Sequence, residues 1–343
     1  MSEIDLTTLS STKSIQLSHG GGGQEMNKLI KGLFFKAFDN DILRSEEDAA
    51  VLTFEGKTAF TTDSFTVSPL FFAGGNIGKL AIAGTVNDLA MMGAKPQYLS
   101  CSVIIEEGFD VANLKTIVDS MAKELSISGA KIVCGDTKVV PKGCADGLFI
   151  NTTGVGSIVQ QGISVRNLKQ DDVIIVSRDI GRHGAAILMA REGLTLESEL
   201  VSDCNTLWPA VEALIEADLD IHAMRDATRG GLSAVLNEWA QASNVGITVN
   251  EEDVPVSEEV RGLCELYGFE PFDLANEGTF IIALPQEQAE KALEVLSAFA
   301  ACGDAAVIGQ VNDEHQGRVV LTSPWGSRRY LDLPQGELLP RIC

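Results

Sequence analysis

The chain has 343 residues, of which 45% are apolar, so it is long enough to bury the cores of about two domains. Its 48 acidic and 26 basic residues give a formal net charge of −22. This charge repels nucleic-acid phosphates and anionic membrane surfaces, so neither a nucleic acid nor a membrane is expected as a partner.

The cysteine pattern and the N-terminal sequence indicate the cellular compartment. The seven cysteines are an odd number without CxxC spacing, which argues against a disulfide framework. The polar leader, residues 1–18, lacks the apolar segment of a signal peptide. The longest uncharged stretch, residues 148–165, contains amides and hydroxyls, unlike a membrane span. We therefore expect a cytoplasmic protein.

The first predicted domain, residues 19–162, is rich in βαβ patterns and opens on His19 to Gln24 with four successive glycines, which predict a mobile loop. Apolar spacing predicts helices over 26–38, 77–93 and 111–126, the second of them rich in small residues and buried. Strands are predicted over 49–54, 58–62, 98–105, 131–140 and 148–158.

The pattern loosens over residues 160–172, so a domain boundary is predicted near 162 and a second domain over 163–333. Helices are predicted at about 184–192, 205–217, 229–243 and 286–300, and strands at 173–177, 246–250, 278–284, 305–310 and 318–322. The last ten residues, 334–343, contain two prolines and no periodicity, which predicts a flexible tail. Together these elements predict a two-domain α/β (α+β) protein.

Four aspartates each end an apolar run beside small or hydroxyl residues: Asp63, Asp88, Asp136 and Asp226, with Asp48 as a fifth candidate. One such aspartate is usually a helix cap or a turn residue. Their repetition favours a Mg²⁺ and phosphate site, because Mg²⁺ takes hard oxygen ligands and shares them with nucleotides. The sequence has no GxxxxGK[ST] motif and no HxxxH pattern, so it predicts neither a P-loop nor a zinc site.

Two further residues are candidates for acid–base chemistry. Lys138 follows Asp136 by two, so a strand would place both on one face, either to meet a phosphate or a reacting carbonyl or as a surface salt bridge. Glu277 precedes the apolar run 280–283, either as a general acid or base or as an ordinary strand cap.

Cys343 is the last residue and lies at the end of the predicted tail. A terminal thiol is not covered by chain on both sides, and ten residues reach about 33 Å at ~3.3 Å per residue. The position predicts a nucleophile on a carrier arm, with an incidental terminal cysteine as the alternative.

These motifs resemble the hydrogenase expression/formation proteins HypE, within the aminoimidazole ribonucleotide synthetase (PurM-like) superfamily. The resemblance extends over nearly the full chain through HGGGGQ, TTDSFTVSPLFFAGGNIGKLAIAGTVNDLAMMGA, GDTKVV, RDATRGG, ANEG and, most specifically, the terminal LPRIC. It implies a two-domain PurM-like fold, a homodimer formed through the N-terminal sheet, and ATP in the cleft between the domains.

The resemblance also implies an activity. A carbamoyl group from the carbamoyltransferase HypF would reach Cys343, and ATP would drive dehydration of this S-carboxamide to a thiocyanate. The cyano group would pass to iron held by the HypC–HypD complex and become a cyanide ligand of [NiFe]-hydrogenase. Phosphorylation of the amide oxygen supplies the leaving group for such a dehydration, with Mg²⁺ neutralising the transferred charge.

For this chemistry we assign Cys343 as the carrier, Glu277 as the base and Lys138 as its orienting or proton-relaying partner. The metal ligands are expected among Asp48, Asp63, Asp88 and Asp136. The expected nucleotide contacts are Asp63, Asn87, Asp88, Asp136, Thr137, Asp226 and Arg229.

Two alternatives remain. A selenophosphate synthetase of the same superfamily usually has a cysteine or selenocysteine beside its N-terminal glycine loop, whereas no cysteine here precedes Cys101. A non-catalytic carrier or scaffold would only pass a group between partners, and a measurement of ATP hydrolysis would distinguish it from an enzyme.

Overall fold

The computed structural model describes residues 13–45, 49–193, 200–334 and 339–343. The α-helices within these ranges are α1 Gln24–Leu29, α2 Ile77–Met91, α3 Val111–Ser128, α4 Arg182–Glu192, α5 Trp208–Glu216, α6 Gly231–Ser243, α7 Glu258–Tyr267 and α8 Ala289–Ser297. The strands are β1 Thr58–Phe65, β2 Phe71–Phe72, β3 Gly75–Asn76, β4 Ala94–Glu106, β5 Lys131–Val140, β6 Leu148–Ile158, β7 Asp172–Val176, β8 Ala223–Asp226, β9 Gly246–Asn250, β10 Phe280–Pro285, β11 Ala306–Asn312, β12 Val319–Thr322 and β13 Arg328–Tyr330.

The N-terminal half is a four-stranded sheet in the order β1-β6-β4-β5. β4 and β5 are parallel and are connected through α3, whereas the other pairs are antiparallel. Helix α2 packs on one face of this sheet and against α3. Its small residues permit this close packing, because a Cβ at Gly78 would come within 2.4 Å of the Ile117 carbonyl oxygen.

The C-terminal half is a seven-stranded sheet in the order β13-β12-β9-β11-β7-β10-β8. The pairs are antiparallel except for β12 with β9. Helix α2 also packs against α5 and β8 of this half, and one hydrophobic cluster includes Leu80 of α2, Trp208 of α5 and Phe280 of β10. A continuous core therefore joins the two halves and fixes the cleft between them.

Several predicted elements differ from the structure. The predicted strand over 49–54 is irregular chain, and Val51 there is 88% exposed. The predicted mobile loop at His19 begins in a 3-10 turn over Leu17–Gly20, and the His19 side chain is buried. β2, β3, β8 and β13 were not predicted, because these strands have only two to four residues. Helix α7 was also missed, although Ser257 caps it and its buried residues Val260, Leu263 and Cys264 have helical spacing. Among the described residues, no helix is both long and apolar enough to cross a membrane.

Candidate functional site

Acidic residues from both halves line one cavity of about 520 Å³. Asp63 lies on the α2-facing side of β1, and Asp88 lies on α2 itself. Asp226 ends β8, the edge strand of the C-terminal sheet, and Arg229 follows in the next loop. The contact between α2 and β8 brings these four predicted residues into one cleft.

The electrostatics of this cleft favour a bound cation. Burial and the neighbouring Asp88 raise the pKa of Asp63 to about 6, although Arg229 opposes the shift. Burial and Asp88 likewise raise the pKa of Asp226 to about 7. The Thr61 hydroxyl donates to Asp88 Oδ2 at 2.6 Å and orients that carboxylate. Carboxylates that are desolvated and face one another gain from a positive charge between them.

The carboxylates do not form a preformed metal cage. Within the described part of the chain, no group of three or more His, Cys, Asp or Glu side chains has the arrangement of a metal-binding cluster. Mg²⁺ is typically held by one or two carboxylates together with substrate phosphates. The chemistry and openness of this donor set therefore fit a metal that arrives with a nucleotide.

Glu277 lies deep beside this cleft, in the loop before β10, and its side chain is buried. Its Oε1 atom has no hydrogen-bond partner among the described residues. Burial first, and then the charges of Asp226, Asp203 and Asp63, raise the pKa of Glu277 well above its usual value. An unsatisfied buried carboxyl oxygen of raised pKa is suited to proton exchange with a ligand.

Asp203 holds the Glu277 loop and was not predicted. Its carboxylate accepts the backbone amides of Glu277 and Gly278 at 3.1 and 2.9 Å, and the Thr279 hydroxyl at 2.8 Å. Asn276 also ties this loop down, since its amide donates to the Ala227 carbonyl at 2.8 Å. Asp203 has the same context of small and hydroxyl neighbours as the predicted aspartates, so the sequence contained a usable indication.

Asp136 and Lys138 do not join this cluster within one chain, contrary to the expectation that Asp136 converges with Asp63 and Asp88. The strand register places Ser64, Asn151, Ser102 and Asp136 in one row across the sheet. Asp63 is one residue out of step with this row, so its side chain projects from the opposite face. Asp136 and Lys138 instead pair with each other at 3.0 Å on the exposed face.

Three other predicted residues have different surroundings. Asn87 is buried, its side-chain amide donates to the Asn205 carbonyl, and its Oδ1 atom accepts from the Leu207 amide, so it links α2 to the C-terminal half. The Thr137 side chain is buried and faces away from Asp136. Asp48 lies outside the described residues.

The last five residues dock on the protein, whereas the sequence predicts a flexible tail. The backbone oxygen of Cys343 accepts from the Thr66 amide at 3.0 Å and from the Thr66 hydroxyl at 3.2 Å. The Ile342 side chain is buried, and the Arg341 carbonyl accepts from the Arg191 guanidinium at 2.7 Å. These partners are distant in sequence, so local patterning in the tail does not reveal them.

The docked tail contacts two segments that also lead to candidate site residues. Thr66 follows Asp63 by three residues, a separation of about 10 Å in extended chain. On the other side, His183 contacts both the Ile342 carbonyl and Ser202, the neighbour of Asp203. The terminal cysteine therefore lies between the strand that carries Asp63 and the segment that holds Glu277.

Two family models match the chain: the N-terminal domain of the AIR synthase related proteins over residues 46–158, and their C-terminal domain over residues 169–322. The carbamoyl dehydratase HypE of Escherichia coli strain K12 is 48% identical, over 96% of this chain and 99% of the relative. That of Azotobacter vinelandii is 44% identical over 100% of both chains. The chain belongs to the HypE family of carbamoyl dehydratases.

Solved structures agree with this assignment. A HypE structure in complex with ATP has a TM-score of 0.93 and 45% identity, covering 96% of this chain and 99% of its own. HypE from a HypE–HypF complex gives a TM-score of 0.77 and 46% identity, covering 89% and 99%. A thiamine-monophosphate kinase from Stenotrophomonas maltophilia, at 20% identity, 87% and 96% coverage and a TM-score of 0.64, shares the fold alone. The predicted HypE resemblance and two-domain PurM-like fold are confirmed.

Several of the motifs that carry the HypE resemblance lie around the cleft, whereas GDTKVV lies on the exposed face of the N-terminal sheet. RDATRGG contributes Asp226 and Arg229, ANEG contributes Glu277, and the terminal LPRIC docks beside them. Asn276 of ANEG hydrogen-bonds to Ala227 of RDATRGG, so two HypE motifs are joined directly.

Proposed function

We propose that this chain uses ATP to dehydrate an S-carbamoyl group on Cys343 to a thiocyanate, the source of a cyanide ligand for [NiFe]-hydrogenase. The observation that carries the proposal is the docking of the terminal cysteine between the strand bearing Asp63 and the segment that holds Glu277. Membership of the carbamoyl dehydratase family supports the same reaction.

The acidic cleft is proposed as the site of ATP and Mg²⁺. A relative has been solved with ATP, and the cleft here combines carboxylates with the Arg229 guanidinium. Asp63, Asp88 and Asp226 would hold Mg²⁺ jointly with phosphate oxygens. When bound, the metal neutralises charge on the transferring phosphoryl group. Arg229 would hold a phosphate oxygen through its planar donors.

The proposed reaction has two steps. First, the carbamoyl oxygen on Cys343 attacks the terminal phosphorus of ATP, and the bond to the bridging oxygen breaks to release ADP. Second, the nitrogen loses its protons while the carbon–oxygen bond breaks, so phosphate leaves and a carbon–nitrogen triple bond forms. Glu277 takes one of the two protons through Oε1, the atom that has no partner among the described residues, and the departing phosphate takes the other.

Asp136 and Lys138 are proposed to act across a homodimer interface. They lie on the exposed face of the N-terminal sheet, together with Phe60 and Ile104, which are 72% and 42% exposed. Exposed apolar side chains on one face support an interface formed by a second copy of the chain. Such packing would bring Lys138 of one copy toward the carbamoyl group or phosphate of the other.

The remaining partners are proposed from the family. A HypE relative has been solved in a complex with HypF, so HypF is the proposed carbamoyl donor for Cys343. The HypC–HypD complex is the proposed acceptor of the cyano group, and the cytoplasm is the proposed location.

The intact mass of the protein tests the proposal. After incubation with the HypF carbamoyl donor system, the mass should rise by one carbamoyl group, and addition of ATP should lower it by one water. Cys343→Ala should show neither change, whereas Cys144→Ala, which removes an exposed thiol, should show both. A loaded wild-type protein that keeps its mass and hydrolyses no ATP would support the carrier alternative instead.

A further inference from the structure

His183 is a buried histidine that the proposed reaction does not use. It lies in the first turn of α4 and has no exposed surface. Its Nε2 atom is 2.8 Å from the Ile342 carbonyl oxygen, and its Nδ1 atom is 2.7 Å from Ser202 Oγ. The Phe72 ring packs edge-on against the imidazole at a centroid distance of 5.3 Å. The orientation of the ring is therefore fixed on several sides.

The hydrogen bonds around His183 define its tautomer. A carbonyl oxygen only accepts, so the proton must lie on Nε2, toward Ile342. Nδ1 then accepts from the Ser202 hydroxyl, whose oxygen accepts the Cys204 amide at 3.0 Å. Burial lowers the pKa of His183, which agrees with a neutral ring. A directed chain of bonds thus runs from Cys204 through Ser202 and His183 to the tail.

The segment Ser202–Cys204 also holds the proposed base. Asp203, between the two residues of that bond chain, accepts the backbone amides of Glu277 and Gly278. One short segment therefore fixes both His183, which holds the tail, and the loop that carries Glu277. Any displacement of the segment would move the two together.

We propose that His183 is a positioning residue that holds the Ile342 carbonyl and so places Cys343 for dehydration in register with Glu277. This inference rests on the proposed function of Cys343. We infer that the tail leaves this position to meet a carbamoyl donor, so His183 is proposed to act on dehydration and not on loading. Arg191, which donates to the Arg341 carbonyl at 2.7 Å and the Ser68 carbonyl at 2.7 Å, supports the same docked state.

Alkylation of Cys343 measures docking without any enzymatic step. Iodoacetamide labelling of Cys343 is compared with labelling of the exposed Cys144 in the same molecule by peptide mass mapping. His183→Leu should raise the rate at Cys343 by about 10- to 100-fold, the range expected when a buried carbonyl loses its donor. His183→Gln, which retains an N–H donor, should restore most of the protection, and Arg191→Leu should release the tail independently. Labelling of Cys144 should stay constant.

Dehydration of preloaded protein in a single turnover gives the second readout. His183→Leu should load normally but dehydrate about 10- to 100-fold more slowly, with recovery in His183→Gln. If His183→Leu does not fold, the ¹⁵N resonances of the His183 imidazole in the wild-type protein test the contact with the tail. They should shift when the chain is shortened to end at Leu339.

Several results would overturn the positioning role: unchanged labelling of Cys343 in folded His183→Leu, imidazole resonances insensitive to tail removal, or wild-type dehydration in the Leu variant. A wild-type protein that loads but never dehydrates would instead contradict the proposed function. The labelling result would stand in that case, so the two failures are distinguishable.

Discussion

The carboxylate of Asp203 accepts the backbone amide of Glu277 at 3.1 Å, so one buried acid fixes the loop that carries another. The same proximity contributes to the raised pKa of Glu277. Positioning and tuning of the proposed base therefore depend on a residue that the sequence analysis did not select.

Asp203→Asn should both loosen the Glu277 loop and ease the repulsion on Glu277. The amides of Glu277 and Gly278 and the Thr279 hydroxyl all donate to Oδ2, and the Glu277 amide is also 3.2 Å from Oδ1. In the Asn variant an NH₂ group replaces one of these oxygens and faces the Glu277 N–H, so the bonds weaken, at a cost of about 1–3 kcal/mol. We expect lower stability in urea and slower dehydration, with the pKa of Glu277 moved downward. Asp313→Asn, on an exposed loop, is the control. A variant with wild-type stability and rate would show that Asp203 does not hold the loop.

Glu277→Gln should stop dehydration while leaving the earlier steps intact. The amide keeps the volume of the side chain but cannot take a proton, so the rate should fall by about 10²–10⁴-fold. Carbamoyl loading on Cys343 and ATP binding should match the wild type. Mass spectrometry should therefore find the carboxamide persisting in the presence of ATP. Dehydration at the wild-type rate would remove Glu277 from the mechanism.

The stability of the nucleotide-free protein should fall as the pH rises through the pKa values of Asp63 and Asp226 in the cleft. The pKa of Asp63 is raised from 3.8 to about 6, and that of Asp226 from 3.8 to about 7. Between pH 3.8 and about pH 7 the folded state therefore binds more protons than the unfolded state. Stability contributed by the protonated acids is thus complete below pH 3.8 and is lost up to about pH 7. Thermal unfolding at about pH 5 to 8 measures this loss.

Replacement of one acid should flatten that pH dependence. Asp226→Asn removes a titrating group, so its stability should exceed the wild-type value increasingly toward pH 8 in the absence of nucleotide. ATP with Mg²⁺ should stabilise the wild type more at pH 8 than at pH 5, and should stabilise Asp226→Asn less than the wild type. Parallel wild-type and variant curves would contradict the assigned pKa of Asp226.

A mixing experiment tests whether Lys138 acts across a dimer interface. Asp63→Asn and Lys138→Gln should each be inactive alone, but a mixed dimer would contain one site with neither substitution. Random mixing of equal amounts makes half of the dimers mixed, so about a quarter of the wild-type activity should return. Mixing two samples of the same variant is the control. Absence of recovery in confirmed mixed dimers would show that Lys138 does not act across the interface with Asp63 of the other copy.

Much of the fold and part of the site follow from local sequence. The predicted strands over 131–140, 148–158 and 246–250 coincide with β5, β6 and β9, because their apolar patterns are long and bounded by turn residues. The predicted strand over 49–54 was wrong, since an apolar run without a partner strand does not form a sheet. The motifs around Asp63, Asp88, Asp226 and Glu277 identified the residues, and with them the family.

The sequence by itself determined which residues are candidates for the chemistry, Cys343 among them, because residue type and local context belong to the sequence. Only the tertiary structure decided which of them meet. Asp63 and Asp136 project from opposite faces of the sheet, because the strand register decides on which face each side chain lies. The tail docks since the donors for its carbonyls come from Thr66, His183 and Arg191, which only folding brings together.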